Sequence, residues 1–348
     1  MATARDKFSR VMRRGDVTEG IPVMEFGPIW DITYESWIQQ GLPEGLSGEA
    51  FDAYFGLDSR VGEWKSPITQ KAKDAANIPA DWRVEQPIIG SEREYDRILP
   101  HLYPVNISDE SLRRADRMAA RQSAGEVWIM HAFDGPFWYP RMLLGVEPHF
   151  YAFYDQPRFM KRMIESLTEY NLLMLDKICS LYTPDVVVFA EDMCYRSGSM
   201  ISSDLFEEFM AAHYRALLPE ISKRNILSMV DSDGQLEEVI PWFVELGLDG
   251  MSPMERRAGV DVNRIRKQYP DFIMSGGFDK TVMHLGEAAL RSEFERLKPA
   301  VLSGRYVPTE DHQVPPSVSL DDFKLYIRLL QEFSLEVARE ARAIAHLE

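Results

Sequence analysis

The 348-residue chain has two cysteines, Cys179 and Cys194, and no Cys-x-x-Cys pair. A disulfide framework and an all-thiolate metal site are excluded, and a reducing cytosol fits best. Long apolar runs are also missing; the longest are short stretches such as 186–190, far below the ~20 residues that span a bilayer. The opening MATARDKFSRVMRRGD alternates charge with apolar residues and has no continuous apolar core of the secretory kind. The expectation is a soluble, cytoplasmic protein that has no membrane partner. Positive charge is scarce: 39 Lys and Arg face 55 Asp and Glu, leaving a formal net charge of −16. Binding to nucleic acid through its phosphates is excluded on that balance. Phosphate loops are absent, with neither G-x-x-x-x-G-K-[ST] nor G-x-G-x-x-G after a strand. No internal repeat, low-complexity tract or dividing linker interrupts the chain.

What is present is ordinary globular material, 45% hydrophobic and 27% charged, and it reads as one domain over 1–348. From residue 126 onward, short β-branched runs alternate with longer amphipathic stretches, the pattern of repeated β-α units on a parallel sheet. Candidate strands are 127–133, 185–191, 226–231, 250–254, 272–276 and 306–309. Upstream, 21–26 reads as a strand after a helical 6–12, and 84–89 is a further candidate. Together they make the eight strands of an α/β fold, a (β/α)₈ TIM barrel. A helix is expected over 205–224 after Ser203 and Asp204, with Glu207 completing a capping box; another starts at Ser319, with Asp322 three residues on. The region 30–80 carries Trp30, Tyr34, Trp37, Phe51, Tyr54, Phe55 and Trp64, and is expected to form an elaborated helical and aromatic loop over the barrel mouth.

Active-site groups of such barrels sit at the carboxyl ends of the strands, and here those ends are acidic. Asp134 follows WIMHAF, Glu191 and Asp192 follow VVVFA, Asp231 and Asp233 follow ILSMV, and Glu255 follows GMSPM. Asp279 and Lys280 follow FIMSGGF, where Gly276 and Gly277 let backbone approach a ligand; Glu310, Asp311 and His312 follow RYVPT. If the strand continues through Asp231-Ser232-Asp233, its period of two points both carboxylates at one site. Either one then holds a proton with a raised pKa, or a cation lies between them. His312 supplies the nitrogen ligand that favours zinc over magnesium. Any single acid after a strand is more often a helix cap or a loop residue, but clustering on successive strands weighs against that. His101, His149, His213, His284 and His346 read as structural or exposed, His131 as a barrel-lining residue, and Cys194 as a buried thiol. The stretch 133–139 is either a ligand platform or core.

The stretches MEFGPIWDITYESWIQQGLP (24–43), FAEDMCYRSGSMIS (189–202), MVDSDGQLEEVIPWFVELGLDGMSPMERRAGVDV (229–262), SGGFDK (275–280) and YVPTEDHQVPPSVSLDDF (306–323) resemble the uroporphyrinogen decarboxylase superfamily along nearly the whole chain. That resemblance implies a (β/α)₈ barrel, and membership often brings a homodimer. True decarboxylases carry an arginine-bearing segment after the first strand; the matching stretch here, 23–29, has Glu25 and no arginine. The other branch of the family consists of cobalamin-dependent methyltransferases, which exchange a methyl group with a corrinoid on a partner protein. Its thiol-methylating members hold zinc through a His-x-Cys pair and a later Cys, places matched here by Asp231-x-Asp233 and His312.

The resulting expectation is a methyltransferase that passes a methyl group from a small O- or N-methylated substrate to a corrinoid protein, with zinc on the leaving atom. Asp231, Asp233 and His312 are the expected ligands, with Glu255 as a fourth. Glu191 or Asp192 is the expected proton donor or the group that orients a ligand. Trp30, Phe137, Trp138 and Tyr139 would wall the substrate pocket, Arg141 would hold a substrate carboxylate, and Asp279 and Lys280 complete the contacts. Two alternatives stand beside it: a decarboxylase acting on a tetrapyrrole, and a non-catalytic barrel that carries a corrinoid or porphyrin.

Overall fold

Seven short apolar stretches pair side by side in parallel in the computed structural model, which describes residues 2–25, 29–64, 66–79, 81–83 and 86–346. They are β1 (Arg60–Trp64), β2 (Trp128–Asp134), β3 (Val186–Ala190), β4 (Leu227–Asp231), β5 (Gly250–Ser252), β6 (Ile273–Ser275) and β7 (Tyr306–Val307), in that spatial order. Sequential order in a parallel sheet means that each strand returns through a crossover on one side, so the seven described strands, one fewer than the eight expected, curl into a TIM-barrel-like sheet with helices around it. In β3 the run Val186-Val187-Val188-Phe189 is buried throughout, as a strand covered on both faces requires.

The six strands expected from residue 126 onward all form, trimmed at their ends. The two upstream expectations do not. Residues 21–25 are extended but unpaired as a strand, with Phe26 outside the described residues. The Asp58 N–H donates to the Val23 carbonyl at 2.7 Å, just before β1, and the Glu310 N–H donates to Glu25 Oε2 at 3.1 Å, beyond β7. The segment therefore touches both edges of the sheet while its backbone is held by side chains. In the 84–89 candidate, residues 86–89 form no strand, and Val84 and Glu85 lie outside the described residues. The first strand is instead Arg60–Trp64, inside the aromatic region expected to be a loop. Its glycine and two charges hide it, because period-two alternation needs apolar residues to be visible.

Helices bury one stripe each. Pro157–Cys179 turns Phe159, Met163, Leu167, Tyr170, Met174 and Ile178 inward, at helical spacing. Leu320–Ala345 starts at the capping box of Ser319 and Asp322, and its Tyr326 and Phe333 stack on Phe294 of Glu287–Leu302, with ring centroids 5.9 Å and 4.9 Å away. The helical run from Ser203 to Lys223 is capped two residues earlier than expected, by Ser202, whose hydroxyl accepts the Leu205 N–H, rather than by Asp204, and passes through a π-turn at Phe206–Met210. At the amino ends of the strands, helix Ala4–Arg14 covers the sheet, with Phe8 stacked on Trp128 at 4.1 Å. No described helix is long and apolar enough to cross a membrane.

Candidate active site

Register brings the strand ends level: Asp134 pairs with Ala190, Ala190 with Asp231, and Asp231 with Ser252. Beyond this level the chain opens a cleft of about 480 Å³. Arg60 and Trp64 of β1, Met130 and Ala132 of β2, and Val188 and Ala190 of β3 form one side. Asp192, Asp231, Asp233, Glu310 and His312 bring polar groups to the same space, and Trp138 adds a second indole.

The carboxylates differ in what holds them. Asp233 accepts from His312 Nε2 at 3.0 Å across the mouth, and this bond raises the imidazole above its ordinary value. Asp192 stands at a left-handed φ of 46°, a conformation that costs a non-glycine residue and recurs at functional sites. Burial and the nearby Asp233 charge raise its carboxyl, while the Arg141 guanidinium binds its backbone carbonyl at 3.1 Å. Asp231 is raised well above the usual carboxylate range by burial, then by the charges of Asp192 and Asp233; Arg60 opposes this. Burial and mutual charge thus favour a proton on Asp231, as expected where carboxylates converge. The Glu255 carboxylate turns away to accept the Gly234 N–H at 2.8 Å.

Those commitments decide how the expected zinc ligands fit. Asp233 is bound to His312, Glu255 is bound to backbone, and Asp231 faces the cleft beside Asp192 and Arg60. Among the described residues, no group of three or more His, Cys, Asp or Glu is arranged to hold a metal ion. The four residues do not fit a tetrahedral zinc site.

Glu191, expected as a proton donor or as the group that orients a ligand, is in the core rather than the cleft. It is fully buried, and its carboxyl accepts from the Tyr214 hydroxyl, from the Phe137 N–H at 2.8 Å and from the Trp138 N–H at 3.1 Å. Helix Trp138–Leu144 has no side-chain cap of its own, so Glu191 satisfies donors that would otherwise be orphaned. Burial pushes this carboxyl up to about 8, against the bonds that lower it. The folded protein keeps a proton that the unfolded chain loses above the ordinary carboxylate value. Stability should therefore fall as pH rises toward the folded value, by roughly 1.4 kcal/mol per pH unit. Glu191→Gln titrates in neither state and is expected to flatten that slope. Urea denaturation of both proteins between about pH 5 and about pH 8 measures it, and parallel slopes would refute the assignment.

Other expected contacts scatter. Trp138 reaches the cleft, but Phe137 packs on His149 and Phe153, and Tyr139 donates to the Tyr103 hydroxyl at 2.7 Å, both inside the core. Trp30 lies exposed in a neighbouring depression that shares Gln313 with the cleft. Asp279 binds Arg257 at 3.1 Å, and Lys280 lies 4.0 Å from Asp311, neither of them lining the cleft. The Gly276-Gly277 pair serves the protein's own packing: a side chain at Gly276 would strike the Met254 backbone, and the Tyr306 hydroxyl donates to its carbonyl at 2.7 Å. Arg141 sits over Trp138, 5.5 Å from the ring centroid. Cys194 is buried, which pushes its thiol up to about 12 and leaves it unsuited to nucleophilic work. The residues that sequence reasoning missed are Arg60 and Trp64, both on the unrecognised first strand.

Comparison with known proteins agrees with this architecture. A methyltransferase from Methanosarcina mazei is similar in structure, with a TM-score of 0.59 and 15% identity over 96% of this chain and 99% of that one. An L-ribulose 3-epimerase is more distant, with a TM-score of 0.43 and 11% identity over 82% of this chain and 97% of that one. No curated protein matches. The sequence profile named uroporphyrinogen decarboxylase (URO-D) matches residues 67–333, well over half of the chain. With strand order, acidic strand ends and profile in accord, the chain belongs to the uroporphyrinogen decarboxylase family.

Proposed function

We propose that this protein removes a methyl group from a small O- or N-methylated compound and delivers it to a corrinoid carried by a partner protein. The observation that carries this reading is the character of the cleft. About 480 Å³ suits a small molecule, and its wall presents Glu63, Asp192, Asp231, Asp233 and Glu310 against Arg60 and His312. A polyanionic tetrapyrrole meets like charge there, which argues against decarboxylation of uroporphyrinogen. Family membership gives the scaffold, and the reaction has to be argued from the site. The fold likeness to a methyltransferase supports methyl transfer as the chemistry of that scaffold.

When bound nearby, a reduced corrinoid supplies an electron-rich acceptor for the methyl group. The chain's own residues bind and orient the substrate and manage the charge on the atom that keeps the electron pair. A proton favoured on Asp231 by burial and by its neighbours would serve a leaving oxygen, and the carboxylates of the cleft would offset a positive charge on nitrogen.

The purified protein, given chemically reduced cobalamin and a panel of small methyl ethers and methylamines, is expected to produce methylcobalamin, followed by its absorbance. No methylcobalamin from any compound, with coproporphyrinogen formed from uroporphyrinogen III, would reverse the assignment. Neither product would favour a barrel that binds without turnover.

A further inference from the structure

Five carboxylates line the cleft against one guanidinium and one imidazole. Pairing removes two of them from consideration: Glu63 binds Arg114 at 2.6 Å, and Asp233 binds His312 at 3.0 Å. Of the other three, Asp192, Asp231 and Glu310, the Asp192 charge acts directly on Asp231, and the Arg60 charge beside Asp231 is shared with Asp52 and Glu25 behind it. When a cation displaces the proton that burial and these neighbours favour on Asp231, negative potential collects on the side where Asp192 and Asp231 meet, in a concave space where fields are poorly screened.

The aromatic side of the same cleft is built with unusual care. Trp64 is 55% exposed, yet its indole N–H donates at 2.8 Å to Asp134, a carboxylate that is itself 1% exposed. The second oxygen of Asp134 accepts from the Ser66 hydroxyl at 2.9 Å. Burying a carboxylate is costly, and here it clamps an indole whose ring stays open to solvent. Trp138 already carries a cation on its ring, the Arg141 guanidinium. Indole faces beside carboxylates form the surface that attracts an ammonium with no N–H of its own, because such a cation has no hydrogen bond to offer.

We propose that the cleft recognises a quaternary methylammonium cation, held by Trp64 and Trp138 on its methyl groups and by Asp192 and Asp231 on its charge. This rests on the methyl-transfer reading for its chemistry and narrows its substrate class. In the transfer, one N–CH₃ bond breaks and its electron pair stays on nitrogen, while a new bond forms from the methyl carbon to the reduced corrinoid. The positive charge leaves with the methyl group, so the amine departs neutral and needs neither a proton nor a Lewis acid.

The test is isothermal titration of the full-length protein with choline and with its uncharged carbon isostere, 3,3-dimethylbutan-1-ol, at constant ionic strength. Choline should bind at least about tenfold more tightly. Trp64→Leu should weaken choline about tenfold, with Trp64→Phe retaining most of the affinity because a ring face remains. Asp134→Asn, which keeps an acceptor for the indole, should bind choline better than Asp134→Ala. Equal binding of the isostere, no binding of choline, or an unchanged affinity in a folded Trp64→Leu protein would overturn the proposal. Choline binding without methyl transfer would uphold recognition and sink the methyl-transfer reading. Transfer from ethers with no affinity for choline would do the reverse.

Discussion

Asp231→Asn is expected to lower kcat/KM for methyl transfer from an ammonium substrate about 30-fold, close to 2 kcal/mol. The substitution removes one of the carboxylates that line the cleft, while the amide keeps nearly the same shape. Because the substrate is cationic both when bound and in the transition state, most of the loss should appear in KM and little in kcat. The effect also carries a pH signature. In the empty cleft Asp231 is raised well above its ordinary value by burial and by Asp192 and Asp233, with Arg60 opposing and His312 paired to Asp233. An arriving cation has to displace that proton, so wild-type affinity should rise with pH until the empty-cleft value is passed. In Asp231→Asn the rise should shrink to what Asp192 contributes. Steady-state kinetics at several pH values, with thermal melting to show that the variant folds, decide the matter; an unchanged KM in a folded variant would remove Asp231 from substrate binding.

The barrel was legible in this sequence because its buried strands are dense with β-branched residues. Val186-Val187-Val188-Phe189 reads as a covered strand without reference to the rest of the fold, and the acids behind each run mark the carboxyl ends. The first strand was not legible. Arg60-Val61-Gly62-Glu63-Trp64 has one buried apolar residue, and it becomes a strand because β2 pairs with all five of its positions. That failure propagated to the site, since Arg60 and Trp64 lie on this strand.

The acids show a different limit. Sequence spacing placed Asp231 and Asp233 at one mouth, and both do line the cleft. It could not tell that Glu191, adjacent to Asp192, points into the core. The division is made by a backbone turn, with Asp192 at a φ of 46°, and by Tyr214 and the start of helix Trp138–Leu144, all remote in sequence from the strand that carries them. Likewise the zinc expectation needed Asp231, Asp233 and His312 free to converge, with Glu255 as a fourth. Two are taken up by His312 pairing and by the Gly234 N–H, contacts that no spacing encodes.

Gly135→Ala is expected to destabilise the protein by about 3 kcal/mol or more. A β-carbon at position 135 falls on the carboxyl carbon and both oxygens of Glu191. Ordinarily the end of a glutamate swings aside at little cost, but this one is fixed by Tyr214 and by the N–H groups of Phe137 and Trp138. Gly135 is itself tethered, its N–H donating to the Ala190 carbonyl at 2.9 Å. Either the glycine leaves β3 or the carboxyl abandons two buried N–H groups, and both routes move Trp138 at the cleft. The cause can be isolated with a double-mutant cycle. Glu191→Ala alone should cost stability by orphaning those N–H groups. In that background the added methyl group enters space the carboxyl has vacated, so Gly135→Ala should cost less than about 1 kcal/mol. Equal losses in the two backgrounds, read by urea denaturation, would mean that the glycine is needed for some reason other than room for Glu191.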